Sequence, residues 1–297
     1  FIVTSLDEEV GLFKMSFGNK DDVNQYVRLR YSDKSLSLID KIFTWGLFDL
    51  KNLENNFKRF KNKFVLSGNP RLDYWRKNFE FFFKQKNIKY NDYILFSLNF
   101  SYLTSEKEFY RRLKILKKNK YFERGWSEKF VKKKRSDSFQ MHKKFIELIT
   151  ELSKNTNRKI VVRPHPTDNL RNYRSFKKYK NIIVSKEGSI SEWIYNSKLV
   201  IHSGCTGGFE SSIRGFPTIA FTPFKSSHGH ESANRYSLKA NNLKECLKLI
   251  ARIENKKIKI KKNKFKIIKN YAVNLLSKKP AYKIISENIF ELLHKRN

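Results

Sequence analysis

The stretch Leu199–Phe221, LVIHSGCTGGFESSIRGFPTIAF, decides the fold. Leu199, Val200 and Ile201 form an unbroken apolar run, the mark of a strand covered on both faces of a parallel sheet. Ser203, Gly204, Cys205, Thr206, Gly207 and Gly208 follow as a turn of small residues whose backbone another group can approach closely. Phe209–Arg214 has a helical pattern, Gly215 and Pro217 stop it, and Thr218–Phe221 returns as a strand. The turn thus lies at a helix N-terminus beside a strand's carboxyl end, where unpaired N–H groups and the helix dipole favour phosphate. In open α/β sheets that edge is also where ligands bind.

Working outward, short apolar strands are expected at Phe1–Leu6, Asp40–Trp45, Phe64–Ser67, Tyr93–Leu98, Lys159–Val162 and Ile182–Val184. Helices are expected at Trp75–Lys86, Glu106–Lys118, Ser136–Ser153, Ser189–Asn196, Leu243–Ile253, Phe265–Leu276 and Ala281–His294. In the last of these Ile284, Ile285, Ile289, Leu292 and Leu293 are expected to face a core, and Asn119–Arg135 reads as an exposed basic loop. Strand–helix alternation from Tyr93 onward is the pattern of a doubly wound parallel sheet, with a less complete version before it. The chain opens at Phe1 inside a strand, so the first domain is expected to be incomplete.

The chain has 297 residues, 39% of them hydrophobic, enough for one large or two ordinary globular domains. Its 63 Lys and Arg against 28 Asp and Glu give a formal charge of +35. Such an excess suits an anionic partner, either a phosphorylated substrate or peripheral contact with an anionic membrane. The bias to lysine over arginine, with much Asn, Ile and Phe, is equally what an AT-rich genome gives, and runs such as Lys132–Arg135 and Lys256–Lys266 read as solvated faces. No nucleic-acid module accompanies the charge, so no specific nucleic-acid partner is expected. Cys205 and Cys246 fit neither a zinc spacing nor a disulfide framework, which points to a reducing, cytoplasmic compartment. There is no signal-peptide pattern and no apolar stretch of membrane-spanning length.

Several polar groups fall at strand ends. Asp7, Glu8 and Glu9 crowd three carboxylates together, which either form an exposed acidic turn or raise one pKa into the range of a general base. Arg71, in the turn Gly68-Asn69-Pro70-Arg71, can pair with Asp73 or reach a phosphate. Asn99 and Ser101 close the strand at Tyr93–Leu98 and suggest ligand contact. In Arg163-Pro164-His165-Pro166 two prolines hold Arg163 and His165 at a strand's carboxyl end as anion-binding candidates. Ser189 and Glu192 form a capping box that needs no function. His228, Gly229, His230 and Glu231 lie in a polar loop that could close over a ligand, but their spacing matches no established metal site, and no metal is expected.

Five stretches taken in order, SLDEEVG (Ser5–Gly11), SGNPRLD (Ser67–Asp73), ILFSLNFS (Ile94–Ser101), RPHP (Arg163–Pro166) and HSGCTGGFE (His202–Glu210), resemble bacterial surface-carbohydrate biosynthesis proteins of the GT-B glycosyltransferase class. The similar groups are capsule Kdo transferases, bacterial sialyltransferases and, more distantly, CDP-glycerol glycerophosphotransferases. The resemblance implies an α/β fold of two Rossmann-like domains with parallel sheets facing a central cleft. Residues 1–88 would form an incomplete acceptor-side domain, 89–270 a donor nucleotide-binding domain, and 271–297 helices returning to the first domain. It also implies that His165 and Arg163 contact the donor's phosphate, that Ser203, Gly204, Thr206, Gly207 and Gly208 cradle it, and that Glu210 accepts hydrogen bonds from a ribose. The acid of Asp7–Glu9 would be the base, Glu8 first and Asp7 second, with Val10 standing where the closest pattern has glycine. The expected activity is metal-independent glycosyl transfer from a nucleotide-activated, CMP-linked sugar to a glycan or lipid-linked acceptor, with the donor as substrate and no cofactor. A CDP-polyol phosphotransferase and a non-catalytic basic adaptor that binds a glycan or membrane are the alternatives.

Overall fold

The computed structural model describes residues 1–6, 24, 27, 28, 30–79, 81–84, 90–103, 105–123, 126–227, 229, 231–256 and 269–295. They form two units, one of the described residues up to 84 together with 269–295, the other of those from 90 to 256.

The first unit holds a parallel sheet of β1 (Thr4–Leu6), β2 (Lys41–Thr44) and β3 (Phe64–Leu66), in that spatial order. Ile42, Phe43 and Trp45 are almost wholly buried around it. Beyond β3, Gly68 adopts φ +79°, and a side chain there would run into Asn274. Asn69 caps the short helix Pro70–Asp73 by accepting from the Arg71 amide at 2.8 Å. Asp73 does not pair with Arg71. Its Oδ1 accepts from Asn274 Nδ2 (2.8 Å) and the Ala281 amide (2.9 Å), and its Oδ2 accepts from the Tyr282 amide (3.0 Å). Arg76 donates to the carbonyls of Asn274, Ser277, Lys278 and Lys279. The SGNPRLD stretch therefore grips residues 274–282 at the start of the helix Ala281–His294. That helix buries only Ala281 fully, and Leu293 is 45% exposed, so it lacks the core-facing stripe its sequence suggests. Among the described residues of the helix expected at 75–86 are a short 3-10 turn at Lys77–Phe79 and one helical turn at Phe81–Lys84.

The second unit carries six parallel strands: β4 (Tyr93–Ser97), β5 (Ile160–Arg163), β6 (Ile182–Val184), β7 (Ser197–His202), β8 (Thr218–Phe221) and β9 (Leu238–Ala240). Their spatial order is β6-β5-β4-β7-β8-β9, the dinucleotide-binding arrangement, and the order reverses between β4 and β7. Tyr93–Phe96 and Leu199–Ile201 are fully buried, as central strands covered on both faces require. Each such apolar side chain contributes about 1.5–3 kcal/mol on burial. β9 escaped the sequence pattern because Leu-Lys-Ala is too short to show a period.

The helix expected from Ser136 starts earlier, at Glu128, and runs to Asn155. Ser127 caps it by accepting from the Phe130 amide at 3.0 Å, and Val131, Met141, Phe145, Leu148 and Leu152 continue one buried face. Half of the supposed basic loop is thus helical. No described helix is long and apolar enough to cross a membrane.

Candidate functional site at the carboxyl edge of the second sheet

β4 lies between β5 and β7, so the loops leaving their carboxyl ends share one edge at the point where the strand order reverses. Neighbouring strands are about 4.8 Å apart, which puts the ends of β5 and β7 roughly 10 Å from each other. Asn99 and Ser101 follow β4, His165 follows β5, and Ser203 and Thr206 follow β7. The side chains of Asn99 and Ser203 have no hydrogen-bond partner among the described residues. The Ser101 carbonyl accepts from Arg112 at 3.1 Å.

His165 is the best-defined group. Its ring is half-buried, and its Nδ1 lies 2.7 Å from Thr167 Oγ1 and 3.2 Å from the Thr167 amide. An amide can only donate, so Nδ1 accepts and the neutral ring carries its proton on Nε2. Asp168, 4% exposed, locks the loop. Its Oδ2 accepts from the amides of Phe100 and His165, both at 3.2 Å, and from the Tyr173 hydroxyl at 2.8 Å. One carboxylate therefore ties the end of β4 to the end of β5. Burial pushes its pKa up, against the lowering effect of these bonds. Lys186 secures the same loop by donating to the carbonyls of Pro166 (2.8 Å) and Asp168.

Other expected contacts are used inside the fold. Arg163 donates to the carbonyls of Ser185 (3.0 Å), Glu187 (2.8 Å) and Gly188 (2.8 Å) and stacks on Trp193. It is 7% exposed, and burial lowers its pKa, so it pins the loop after β6 rather than meeting an anion. Glu210 is 1% exposed and accepts from the Ser191 hydroxyl, a tie between two helices rather than a surface-facing ribose acceptor.

The glycine turn is the first turn of a helix, Thr206–Arg214, capped by the Cys205 thiol, which accepts from the Gly208 amide at 3.3 Å. A Cβ on Gly208 would sit 2.2 Å from the His202 ring, and one on Gly207 would sit 2.7 Å from Ser97 Oγ. These glycines let the helix close on the sheet, and the Gly208 amide is not offered to a phosphate. The Gly204 amide is also taken, donating to His202 Nδ1 at 3.0 Å, with φ +72° at Gly204. His202 is fully buried, its pKa pushed down to about 3 by burial, and its Nε2 pairs with Ser237 Oγ at 2.8 Å.

Asp7, Glu8, Glu9, His228 and His230 lie outside the described residues. Among the described residues no group of three His, Cys, Asp or Glu is placed to hold a metal ion. The sequence analysis missed Thr167, Asp168 and His202. Asp168 stands three residues after His165, near enough in the chain for its carboxylate to accept from the His165 amide.

Comparison with solved structures finds the same fold. A histidine-to-asparagine variant of the Wall Teichoic Acid Polymerase TagF matches with a TM-score of 0.53 at 14% identity, covering 100% of this chain and 66% of the other. The same variant soaked with CDPG matches with a TM-score of 0.52 over 98% of this chain and 64% of the other, at 14% identity. UDP-GlcNAc 2-epimerase from Neisseria meningitidis, bound to UDP-GlcNAc, matches with a TM-score of 0.53 at 12% identity, covering 98% and 70%. The chain spans about two thirds of the length of these structures. A comparison with curated proteins finds no match. The fold is therefore α/β with parallel sheets and GT-B-like, and residues 102–278, more than half of the chain, place it in the family described as Protein of unknown function (DUF354).

Proposed function

We propose that the chain is a transferase that takes a group from a nucleotide-activated donor and passes it to a hydroxyl of a glycan or lipid-linked acceptor. The observation that carries this is His165, held in one tautomer by Thr167, on the same carboxyl edge of the sheet as the unpartnered side chains of Asn99 and Ser203. An acceptor oxygen attacks the anomeric carbon of the donor, the bond from that carbon to the nucleotide phosphate breaks, and His165 Nε2–H donates to the departing phosphate oxygen. A carboxylate of Asp7–Glu9, Glu8 first, takes the acceptor proton. The donor is a CMP-linked acidic sugar of the Kdo or sialic-acid kind. The net charge of +35 suits work at the inner face of a bacterial membrane, beside anionic lipid.

A second reading is transfer of a polyol phosphate from a CDP-linked donor, with attack at phosphorus instead of carbon. It is favoured by the likeness to TagF, a variant of which was soaked with CDPG. Thermal unfolding with CMP, CDP, UDP and GDP tests both. Binding at a hundredfold excess over Kd adds about 2.7 kcal/mol of stability. Stabilisation by one nucleotide that is lost in His165→Ala supports a donor site there; no response to any of them overturns it. Release of CMP from CMP-sugars or from CDP-polyols then separates the two readings.

A further inference from the structure

The loop leaving β4 holds a second charged feature that the donor reading does not use. Tyr102, 9% exposed, has two cations on its ring: Arg112 Cζ lies 4.1 Å from the centroid and Lys134 Nζ lies 5.5 Å from it. Arg112 comes from the helix Glu106–Lys118 and Lys134 from the helix Glu128–Asn155, so three separate elements bring the group together. Lys134 is also 9% exposed.

Neither cation has a carboxylate partner among the described residues. The nearby acids are engaged elsewhere: Asp137 accepts from Lys133 and Ser227, and Glu108 accepts from Ser105. Two like charges near one ring, one of them nine-tenths buried, cost stability unless an anion joins them. Burial, and then Arg112, push the Lys134 pKa down to about 8, the direction expected when no counter-charge is present. The ring attracts each cation but does not neutralise either.

We propose that Arg112 and Lys134 form a seat for an oxyanion carried by a substrate, a phosphate or a carboxylate. The guanidinium presents a planar fork to such a group while one of its arms stays fixed on the Ser101 carbonyl. That bond places the seat next to Asn99 and Ser101, so one substrate can carry its nucleotide phosphate toward His165 and a second anionic group toward Lys134. The second part rests on the donor reading; the seat itself does not.

The test measures thermal unfolding of the whole chain against inorganic phosphate and against N-acetylneuraminate, with chloride at matched ionic strength. Stabilisation by either probe above the chloride control is expected, and the responding probe tells a phosphate seat from a carboxylate seat. Arg112→Gln and Lys134→Met should each weaken the response about tenfold or more, the loss of one charge-assisted contact. Lys134→Met should also leave the ion-free protein at least as stable as the wild type, because an uncompensated buried charge is gone. A tie serving structure alone predicts the reverse, a less stable Lys134→Met. That result, equal responses in wild type and both variants, or no response beyond chloride, overturns the proposal. His165→Ala should keep the part of the response that Arg112→Gln and Lys134→Met remove, while losing any response to nucleotide, which separates failure of the seat from failure of the donor site.

Discussion

Two histidines stand at the carboxyl edge of the six-stranded sheet, and the same local device holds both. The amide two residues further on donates to Nδ1, from Thr167 to His165 at 3.2 Å and from Gly204 to His202 at 3.0 Å. Each ring therefore keeps its proton on Nε2. There the likeness ends. His202 is fully buried and spends Nε2 on Ser237, whose hydroxyl reaches on to Ser212 at 2.9 Å. His165 is half-buried, and no described residue pairs with its Nε2. One ring is spent inside the fold and the other keeps its Nε2 unpaired at the sheet edge, a difference made by what packs around them.

The largest expected effect is on turnover. His165→Ala should lower nucleotide release about a hundredfold or more, the ~2.7–4 kcal/mol typical of a lost transition-state donor, with the unfolding temperature unchanged. A variant that keeps near-normal turnover breaks the comparison at its functional end. Next comes Gly208→Ala, whose Cβ would meet the buried His202 ring at 2.2 Å. Overpacking of this kind costs about 1–3 kcal/mol, and urea unfolding should show it as a lower midpoint with an unchanged slope. An unaffected midpoint would mean that the glycine is not there for packing.

A smaller effect is expected from pH. Burial lowers His202 to about 3 and His142 to about 4, from 6.5 in the unfolded chain. Between those values the unfolded chain binds protons that the native one does not, so stability is full above pH 6.5 and falls with pH toward 4. By pH 5.5 the loss is about 1.4 kcal/mol for each histidine. Urea unfolding at pH 7, about 5.5 and about 4.5 measures it, and His142→Phe should make the slope shallower. A flat profile would remove the contrast in burial. The smallest change is expected for Thr167→Val, which deletes one hydrogen bond to His165 and keeps the amide. A loss of about 0.5–1.5 kcal/mol in kcat/KM should appear with stability unchanged.

Much of the second unit was legible in its residues. Unbroken apolar runs at Ile94–Phe96 and Leu199–Ile201 read as strands covered on both faces, and Pro164, Gly215 and Pro217 punctuate the chain around them. The candidate site was legible only in part. RPHP and the glycine turn do lie at the carboxyl edge of the sheet, but their residues have other duties: Arg163 looks like an anion binder and holds three carbonyls instead. Gly207 and Gly208 look like a phosphate cradle and are spacers for Ser97 and His202. Asp168 drew no attention, yet it joins two strand ends.

The sequence by itself determined the central strands and where the chain turns after them, because burial on both faces demands apolar runs and turns demand glycine and proline. Tertiary structure alone decided which polar groups are left over for a ligand. A side chain's polar contacts depend on partners far away in the chain, such as the Phe100 amide for Asp168 or the Tyr102 ring for Lys134, and no local pattern records them.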